Sequence, residues 1–377
     1  MKSKTLMGMI TLFPLLAIPA MLATEDQQTT GLASNEWYVN GVNGNDSNDC
    51  KSPQTACKTI GHAISLAASG GSVIIAAGTY NENLTIGFSL NLIGSGASTT
   101  IIDGQAAGSV IVISSSAQVT LSNLTIRNGL ALFGGGIYNN ARLTINASTV
   151  TGNNAFVRNF VGYGGGIYNG SNGTLTINNS TVNANTAGHR SCGLFPCPGS
   201  GGGIANVGEL VINNSTLSGN YAYGIQASSY GRGGGIYNGG GMTISNSTLG
   251  GNSGTHGGAV YGGGGFQNSI VANNSGQNCS NAVTSTGYNL SSDSTCNFSG
   301  PGDLNNIDAK LGSLQNNGGP TQTQALLPGS PAIDAGNPSG CTDGQGNLLK
   351  TDQRGMPRPD KEDKSGCDMG AYESQSD

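Results

Sequence analysis

A glycine-rich motif that returns along the chain constrains the fold more than any other feature of this sequence. It reads Gly-Gly-Gly-Ile followed by Tyr-Asn or Ala-Asn at residues 134, 164, 201 and 233, with a shortened Gly-Gly-Ala-Val-Tyr at 257. Consecutive motifs are therefore 30, 37, 32 and 24 residues apart. Such a period predicts stacked supersecondary units rather than a single globule.

Between the motifs, aliphatic and polar residues alternate as they do in short β-strands. Leu143 and Ile145 flank Thr144, and the same pattern returns in each later unit. Period-two alternation places the aliphatic side chains on one face of a strand. A further inward column consists of Val150, Val182, Leu217, Leu249 and Val271. Three short strands per turn, each with an inward aliphatic residue, predict a parallel β-helix.

Glycine and asparagine are predicted to form the corners of this coil. The glycine triplets suit turns where a side chain would clash or φ must be positive, although they could instead line a ligand approach. Asparagine tolerates the left-handed backbone, and stacked amides can bond from rung to rung. Two such columns align, namely Asn179, Asn214, Asn246 and Asn268 (with Ala147 in the first unit), and Asn153, Asn185, Asn220, Asn252 and Asn274.

The predicted fold class is all-β: a right-handed parallel β-helix solenoid with a short N-terminal capping helix and a small disulfide-bonded C-terminal cap. Residues 1–23 resemble a signal peptide, because Lys2 and Lys4 precede an apolar run, which predicts export with a cut after Ala23. The alternative is a retained membrane anchor. We expect an N-terminal segment with the capping helix over 24–69, the β-helix over 70–299 and the C-terminal cap over 300–377.

Eight cysteines favour disulfides in an oxidising compartment. Proximity suggests four local pairs: Cys50 with Cys57, Cys192 with Cys197, Cys279 with Cys296, and Cys341 with Cys367. The sequence alone leaves other pairings open.

The formal charge of -5 argues against nucleic acid and anionic membranes as partners. We expect a monomer without a membrane span after signal removal, and without a cofactor other than a candidate Ca²⁺ ion. Carbohydrate or protein at the cell exterior is the expected partner.

Three insertions before the glycine motifs enter at one corner, so they are predicted to form a ridge along one side. They span residues 154–163, 186–200 and 221–232. Aromatic and arginine side chains suit stacking on sugars or docking of a protein. The alternative is that they pack on one another without a ligand. The candidate binding residues are Phe156, Arg158, Tyr163, Arg190, Phe195, Tyr223, Tyr230 and Arg232.

Acidic residues are too scarce in the rungs for the usual chemistry of polysaccharide cleavage. Between Gly104 and Ser292 the only carboxylate is Glu209, whereas glycosidases use paired carboxylates and lyases on this fold hold Ca²⁺ with acidic groups. Asp103 is explained as a turn residue. Carboxylates concentrate after Gly300, where Asp334, Asp352 and Asp368 could form a Ca²⁺ site; the alternative, which the mixed charges favour, is a salt-bridged cap.

Two stretches resemble known families. The opening resembles pectate-lyase-like right-handed β-helix proteins at Trp37-Tyr-Val39, Lys58-Thr-Ile60, Ala76-Ala-Gly-Thr-Tyr80 and Leu92-Ile-Gly94. The C-terminal stretch resembles the bacterial choice-of-anchor Q domain at residues 311–314, 317–321, 325–336, 351–355 and 367–373. The first resemblance implies a fold shared by many functions, and the second implies a domain found on cell-surface proteins.

The sequence therefore predicts a secreted or cell-surface β-helix protein that is non-catalytic and presents its loop ridge for adhesion or for binding carbohydrate or protein. The alternatives are a polysaccharide-active enzyme, either lyase or hydrolase, and a mainly structural component of the cell envelope.

Overall fold

The computed structural model describes residues 35–114, 116–189, 197–224, 231–361 and 366–376. Their fold is the predicted right-handed parallel β-helix, with three long parallel sheets running along the coil. Successive strands of one sheet come from successive turns of the chain, so each residue lies beside its counterpart in the repeat.

The first sheet has ten strands: Glu36–Val39, Gly71–Ile75, Leu90–Gly94, Gln118–Ser122, Arg142–Asn146, Thr174–Asn178, Glu209–Asn213, Gly241–Ser245, Gly265–Gln267 and Thr284–Gly287. The second sheet also has ten: Gly78–Asn81, Thr100–Asp103, Thr125–Arg127, Thr149–Thr151, Thr181–Asn183, Thr216–Ser218, Thr248–Gly250, Ile270–Ala272, Leu290–Ser291 and Leu304–Asn305. The third sheet has eight: Leu84–Ile86, Ile111–Ile113, Ile137–Asn139, Ile167–Asn169, Ile204–Asn206, Ile236–Asn238, Val260–Tyr261 and Cys279–Ser280.

Three smaller sheets accompany them. Five two-residue strands stack at the corner before the glycine motifs: Leu130–Ala131, Asn154–Ala155, Thr186–Ala187, Tyr221–Ala222 and Ser253–Gly254. Gly162–Tyr163 pairs with Gly199–Ser200 in the insertions. Leu311–Gln315 and Thr323–Leu326 form an antiparallel pair in the C-terminal segment. The sequence predicted three strands per turn, and the short corner strands add a fourth ladder.

The interior is a continuous column of aliphatic side chains, because the strand alternation turns them all inward. Leu143, Leu175 and Leu210 are 0–1% exposed, and the isoleucine of each complete glycine motif is 0% exposed. The predicted inward residues are therefore confirmed as the core.

The glycine triplets form tight corners, as predicted. The first glycine of each motif has a left-handed φ between 62° and 69°. The second glycine has no room for a side chain, since a Cβ there would lie 2.3–2.5 Å from the backbone of the same or an adjacent rung. Both requirements select glycine on steric grounds.

The two asparagine columns behave differently. Asn179, Asn214, Asn246 and Asn268 have φ of 47–49°, and Ala147 has 45°, so this column makes the left-handed corner. In the other column the left-handed residue is the one before the asparagine, for example Gly219 before Asn220. These amides instead stack: Nδ2 of Asn185 donates to Oδ1 of Asn220 at 3.0 Å, and Asn220 donates to Asn252 at 2.9 Å.

A second buried amide ladder joins the asparagines that close the glycine motifs. Nδ2 of Asn139 donates to Oδ1 of Asn169, Asn169 donates to Asn206, and Asn206 donates to Asn238, each at 2.7 Å. The repeat motif thus contributes both the corner glycines and a buried polar seam between rungs.

The N-terminal end is covered by the helix Ile60–Leu66, in line with the predicted capping helix. Thr59 is its N-cap, and Ile60, Ala63 and Ile64 are buried. Ala67 follows the helix as its C-cap and also packs against the core. The backbone N–H groups of Ile60 and Gly61 donate to the carboxylate of Glu82, each at 2.8 Å. The first sheet starts earlier than expected, since Glu36–Val39 pairs with Gly71–Ile75.

The C-terminal segment covers the flank of the coil in addition to following its last turn. Oγ1 of Thr181 donates to the carbonyl of Gln322, and the N–H of Ala371 donates to Oγ1 of Thr248. A separate apolar cluster lies between this segment and the second sheet: Ile270, Ala272, Leu290, Ala309, Leu326, Ala332 and Met369. The predicted cap is therefore also a lateral cover over several rungs.

Disulfides join Cys50 to Cys57, Cys279 to Cys296, and Cys341 to Cys367, which confirms these three predicted pairs. Cys197 is also disulfide-bonded. Its predicted partner, Cys192, lies outside the described residues. No helix in the described part of the chain is long and apolar enough to cross a membrane.

Breaking the buried amide ladder at Asn220 should destabilise the coil. Asn220→Ala removes bonds to Asn185, Asn252 and the carbonyl of Val182 and leaves buried polar groups without partners. We expect the free energy of unfolding to fall by about 1–3 kcal/mol, measured as a lower urea midpoint. Asn43→Ala changes an exposed asparagine and should stay within about 0.5 kcal/mol of wild type; equal stability of both variants would contradict a structural role for the ladder.

Candidate functional site

The roots of the three insertions stack on one another, as the ridge prediction requires. Phe133 pairs with Tyr163, Ser200 with Arg232, and Arg232 with His256 as parallel bridges. The N–H of Gly162 donates to the carbonyl of Pro198, and that of Gly199 donates to Tyr223. The described parts of the insertions thus continue the rung stacking outward.

The predicted ridge residues fall into four groups. Phe156 packs against His189 with ring centroids 4.6 Å apart, and Tyr223 meets the edge of Tyr221 at 4.4 Å. Arg158 is exposed. Tyr163 and Arg232 contact tyrosines of a larger aromatic surface. Arg190, Phe195 and Tyr230 lie outside the described residues.

That larger surface is an aromatic stripe on the outer face of the third sheet. Its floor is the residue after the isoleucine of each motif, which the strand register places in one column. Tyr138 stacks on Tyr168 with centroids 5.5 Å apart and an interplanar angle of 19°. Tyr237 stacks on Tyr261 at 5.7 Å and 9°. We define the stripe as Phe133, Tyr138, Tyr163, Tyr168, Tyr237 and Tyr261.

Ridge residues join the two stacked pairs. Ala205 occupies the column between Tyr168 and Tyr237 and is 1% exposed. Tyr163 stacks on Phe133 at 5.7 Å and meets the edge of Tyr237 at 6.2 Å. Phe133 in turn meets the edge of Tyr168 at 5.0 Å, and the guanidinium of Arg232 lies 5.0 Å from the Tyr261 ring. The stripe is thus continuous over five rungs.

The stripe consists only of tyrosine and phenylalanine side chains. Burial raises the pKa of Tyr168 above its ordinary value of 10.0, and the neighbouring phenols Tyr138, Tyr163 and Tyr237 raise it further. All five tyrosines are partly exposed, and Phe133 is 37% exposed. The surface therefore offers apolar ring area together with neutral phenol groups, which can donate and accept hydrogen bonds.

Sequence analysis missed Phe133, Tyr138, Tyr168, Tyr237 and Tyr261 as site residues. A signal was available for the four tyrosines: in a strand, the residue after an inward isoleucine points outward, and tyrosine recurs at that position in four of five motifs. No comparable signal marked Phe133.

The carboxylate of Asp103 is held in structural bonds. Asp103 is 2% exposed and accepts from Nε of Arg127 at 2.8 Å and from Nδ2 of Asn128 at 2.7 Å. Burial raises the pKa of Asp103, but hydrogen bonds from Arg127, Gln105 and Asn128 lower it by more, and the pKa lies below its ordinary value. An ionised, hydrogen-bonded carboxylate is a poor general acid. Glu209 is exposed.

Two of the three proposed calcium ligands, Asp352 and Asp368, accept bonds from the protein. Asp352 accepts from Nε of Arg354 at 2.7 Å and from the N–H of Glu373 at 3.1 Å. Asp368 accepts from the N–H of Asp334 at 2.9 Å. Among the described residues, the only three His, Cys, Asp or Glu side chains whose ligand atoms lie within 4.8 Å of one another are Cys50, Cys57 and His62, and both cysteines are disulfide-bonded. The arrangement favours the salt-bridged alternative, and the Ca²⁺ site stays a prediction.

A buried ion pair stands at the centre of this segment. Nε of Arg358 donates to Glu373 at 2.7 Å, and both side chains are 0% exposed. Burial raises the pKa of Glu373 to about 8, against the opposing effect of Arg358. A carboxyl group with that pKa would suit a general acid, but a fully buried one is out of reach of a substrate.

No protein-family model and no curated protein matches this sequence. Similar solved structures include pectate lyase Pel9A (16% identity, 91% of this chain and 97% of that chain, TM-score 0.45). Another is pectin methylesterase PemA from Erwinia chrysanthemi (18% identity, 63% of this chain and 79% of that chain, TM-score 0.38). A third is a pectin methylesterase in complex with a hexasaccharide (15% identity, 84% of this chain and 93% of that chain, TM-score 0.35). At these identities and scores the likeness says nothing about activity, and the fold assignment rests on the strand register of this chain.

If Asp103 has a structural role, Asp103→Asn should destabilise the protein in a pH-dependent way. Because folding lowers the pKa of this carboxyl group, its stabilising contribution is present above the ordinary value of 3.8 and is lost as pH falls through the folded-state value. We expect a loss of about 1–2 kcal/mol at pH 7 that shrinks below pH 3.8, measured by urea unfolding. Glu209→Gln, at an exposed carboxylate, serves as the control; a loss for Asp103→Asn that does not change with pH would contradict the assignment.

Proposed function

We propose that this protein is an exported, non-catalytic β-helix protein that binds carbohydrate at the cell exterior through the aromatic stripe. The observation that carries the proposal is the row of six partly exposed aromatic rings across five rungs. Rings held by a stacked backbone lose little conformational freedom when they bind, which makes them effective platforms for an apolar sugar face.

Several features support binding over catalysis. The stripe residues are tyrosine and phenylalanine, which supply area and hydrogen bonds but no acid–base pair near neutral pH. Asp103 and Glu373 are held in structural bonds. Export would follow from the signal peptide proposed for residues 1–23, and the C-terminal segment would serve as the choice-of-anchor Q domain that its motifs resemble.

The ridge is proposed as the second half of the same surface. Tyr163 and Arg232 belong to the insertions and also contact stripe residues. The other ridge candidates, including Arg158 and Tyr223, are proposed to border the ligand rather than to form its platform.

A glycan array tests the proposal directly. The wild-type protein should bind at least one glycan class, and the double variant Tyr168→Ala, Tyr237→Ala should bind it at least about tenfold more weakly, equivalent to about 1.4 kcal/mol. Both substitutions remove outward rings, so the coil should stay folded, as judged by circular dichroism.

The matched control is Tyr38→Ala, which removes a partly exposed tyrosine of the first sheet that belongs neither to the stripe nor to the ridge. This control should keep most of the binding. Equal binding by the stripe variant and wild type would contradict the proposal, as would the release of shortened or unsaturated sugars from a bound polysaccharide, which would instead support the enzyme alternative.

A further inference from the structure

We infer that a second surface, a polar groove on the outer face of the first sheet, binds a neutral extended polysaccharide independently of the aromatic stripe. The groove, here called the amide groove, is bordered on one side by the C-terminal segment. Its floor is formed by Thr144, Asn146, Thr176, Asn178, Asn179, Asn213 and Asn214, and its wall by Asp343, Gln345 and Leu349.

The floor repeats the same chemical groups on successive rungs. Strand register pairs Thr144 with Thr176 and Asn146 with Asn178. Parallel strands place such counterparts about 4.8 Å apart along the coil. A ligand lying along the coil axis therefore meets a hydroxyl and an amide on each of these two rungs, and the amide of Asn213 on the next.

The amides of the floor point in one direction. Nδ2 of Asn213 donates to Oδ1 of Asn178 at 3.1 Å, and Nδ2 of Asn178 donates to Oδ1 of Asn146 at 3.0 Å. The N–H of Gly344 donates to Oδ1 of Asn213 at 3.0 Å and ends the row on that side. The row is fixed before a ligand arrives, which lowers the entropic cost of binding.

Hydrogen-bonding capacity remains at the open end of the row. Within the described ranges, the hydroxyls of Thr144 and Thr176 and Nδ2 of Asn146 have no protein partner, and all three side chains are partly exposed. They offer donors and acceptors to a ligand.

The wall is anchored to the coil. Nδ2 of Asn246 donates to the carbonyl of Thr342 at 2.6 Å, and Thr342 forms an antiparallel bridge with Leu348. The carboxylate of Asp343 accepts from the N–H groups of Gln345 and Asn347 and from Nδ2 of Asn347. The one charge at the groove is thus already engaged within its own loop.

These properties select a neutral polyhydroxylated ligand. Hydroxyls and amides both donate and accept, as sugar hydroxyls do, and the one charged side chain in the lining, Asp343, would repel an anionic ligand and already accepts three bonds within its own loop. A peptide would need apolar pockets for its side chains, but among the described residues Leu349 is the only large apolar side chain that lines this groove. The observations therefore favour a glycan.

Affinity electrophoresis in gels that contain hydroxyethyl cellulose, mixed-linkage β-glucan, xylan or galactomannan tests the inference. At least one of these neutral polymers should retard the wild-type protein. Thr176→Arg, which fills the groove, should weaken retardation at least tenfold. Thr120→Arg places the same bulk in the same outward column beyond the groove and should bind like wild type.

Asn146→Ala provides a milder variant that removes the terminal donor without adding bulk, and it should weaken retardation several-fold even if Thr176→Arg fails to fold. The stripe variant Tyr168→Ala, Tyr237→Ala runs in the same gels. Weaker retardation of the groove variants together with normal retardation of the stripe variant would support the groove. This outcome does not depend on whether the stripe binds a glycan. Wild-type retardation of both groove variants would overturn the inference. So would the absence of retardation of the folded wild-type protein by all four polymers.

Discussion

The fixed register between successive rungs is the constraint on which the rest of this structure depends. Backbone hydrogen bonds alone would allow a parallel strand to slip, but a slip of one residue would turn every inward aliphatic side chain outward. Buried amides also oppose a shift of register. Asn220 contacts both Asn185 and Asn252 through its side chain, so a shifted rung would leave several amides without partners inside the coil, at a cost of about 1–3 kcal/mol each.

Register also explains where variation is tolerated. The insertions enter between the short corner strands and the glycine triplets, so a longer loop does not move the strands that follow. The second glycine of a triplet, by contrast, meets backbone within 2.5 Å in the position of a Cβ. Loop length and loop sequence can therefore change on the ridge while the corner beside it stays glycine.

The sequence was sufficient to predict most of the fold because each rung has its own copy of the repeat pattern. The inward columns, the corner glycines and three cysteine pairs followed from spacing and alternation. The lateral position of the C-terminal segment did not, since bonds such as Thr216 to Gln353 join residues 137 positions apart and leave no periodic trace. The site was anticipated only in part. Tyr163 and Arg232 were predicted from the insertions. The tyrosines of the motif were not predicted, because a residue that recurs in every unit is first interpreted as part of the structural repeat.

Ionisable groups are distributed differently in the C-terminal segment and on the outer faces of the rungs. Charged side chains in the C-terminal segment are buried with a partner, as Arg354 is with Asp352, where removing one partner would leave the other charge uncompensated. The outer faces of the rungs carry rings, hydroxyls and amides instead. Neutral groups on a rigid periodic surface can match a repeating ligand at several points at once, and many weak contacts in register can then hold a polymer that none of them would hold alone.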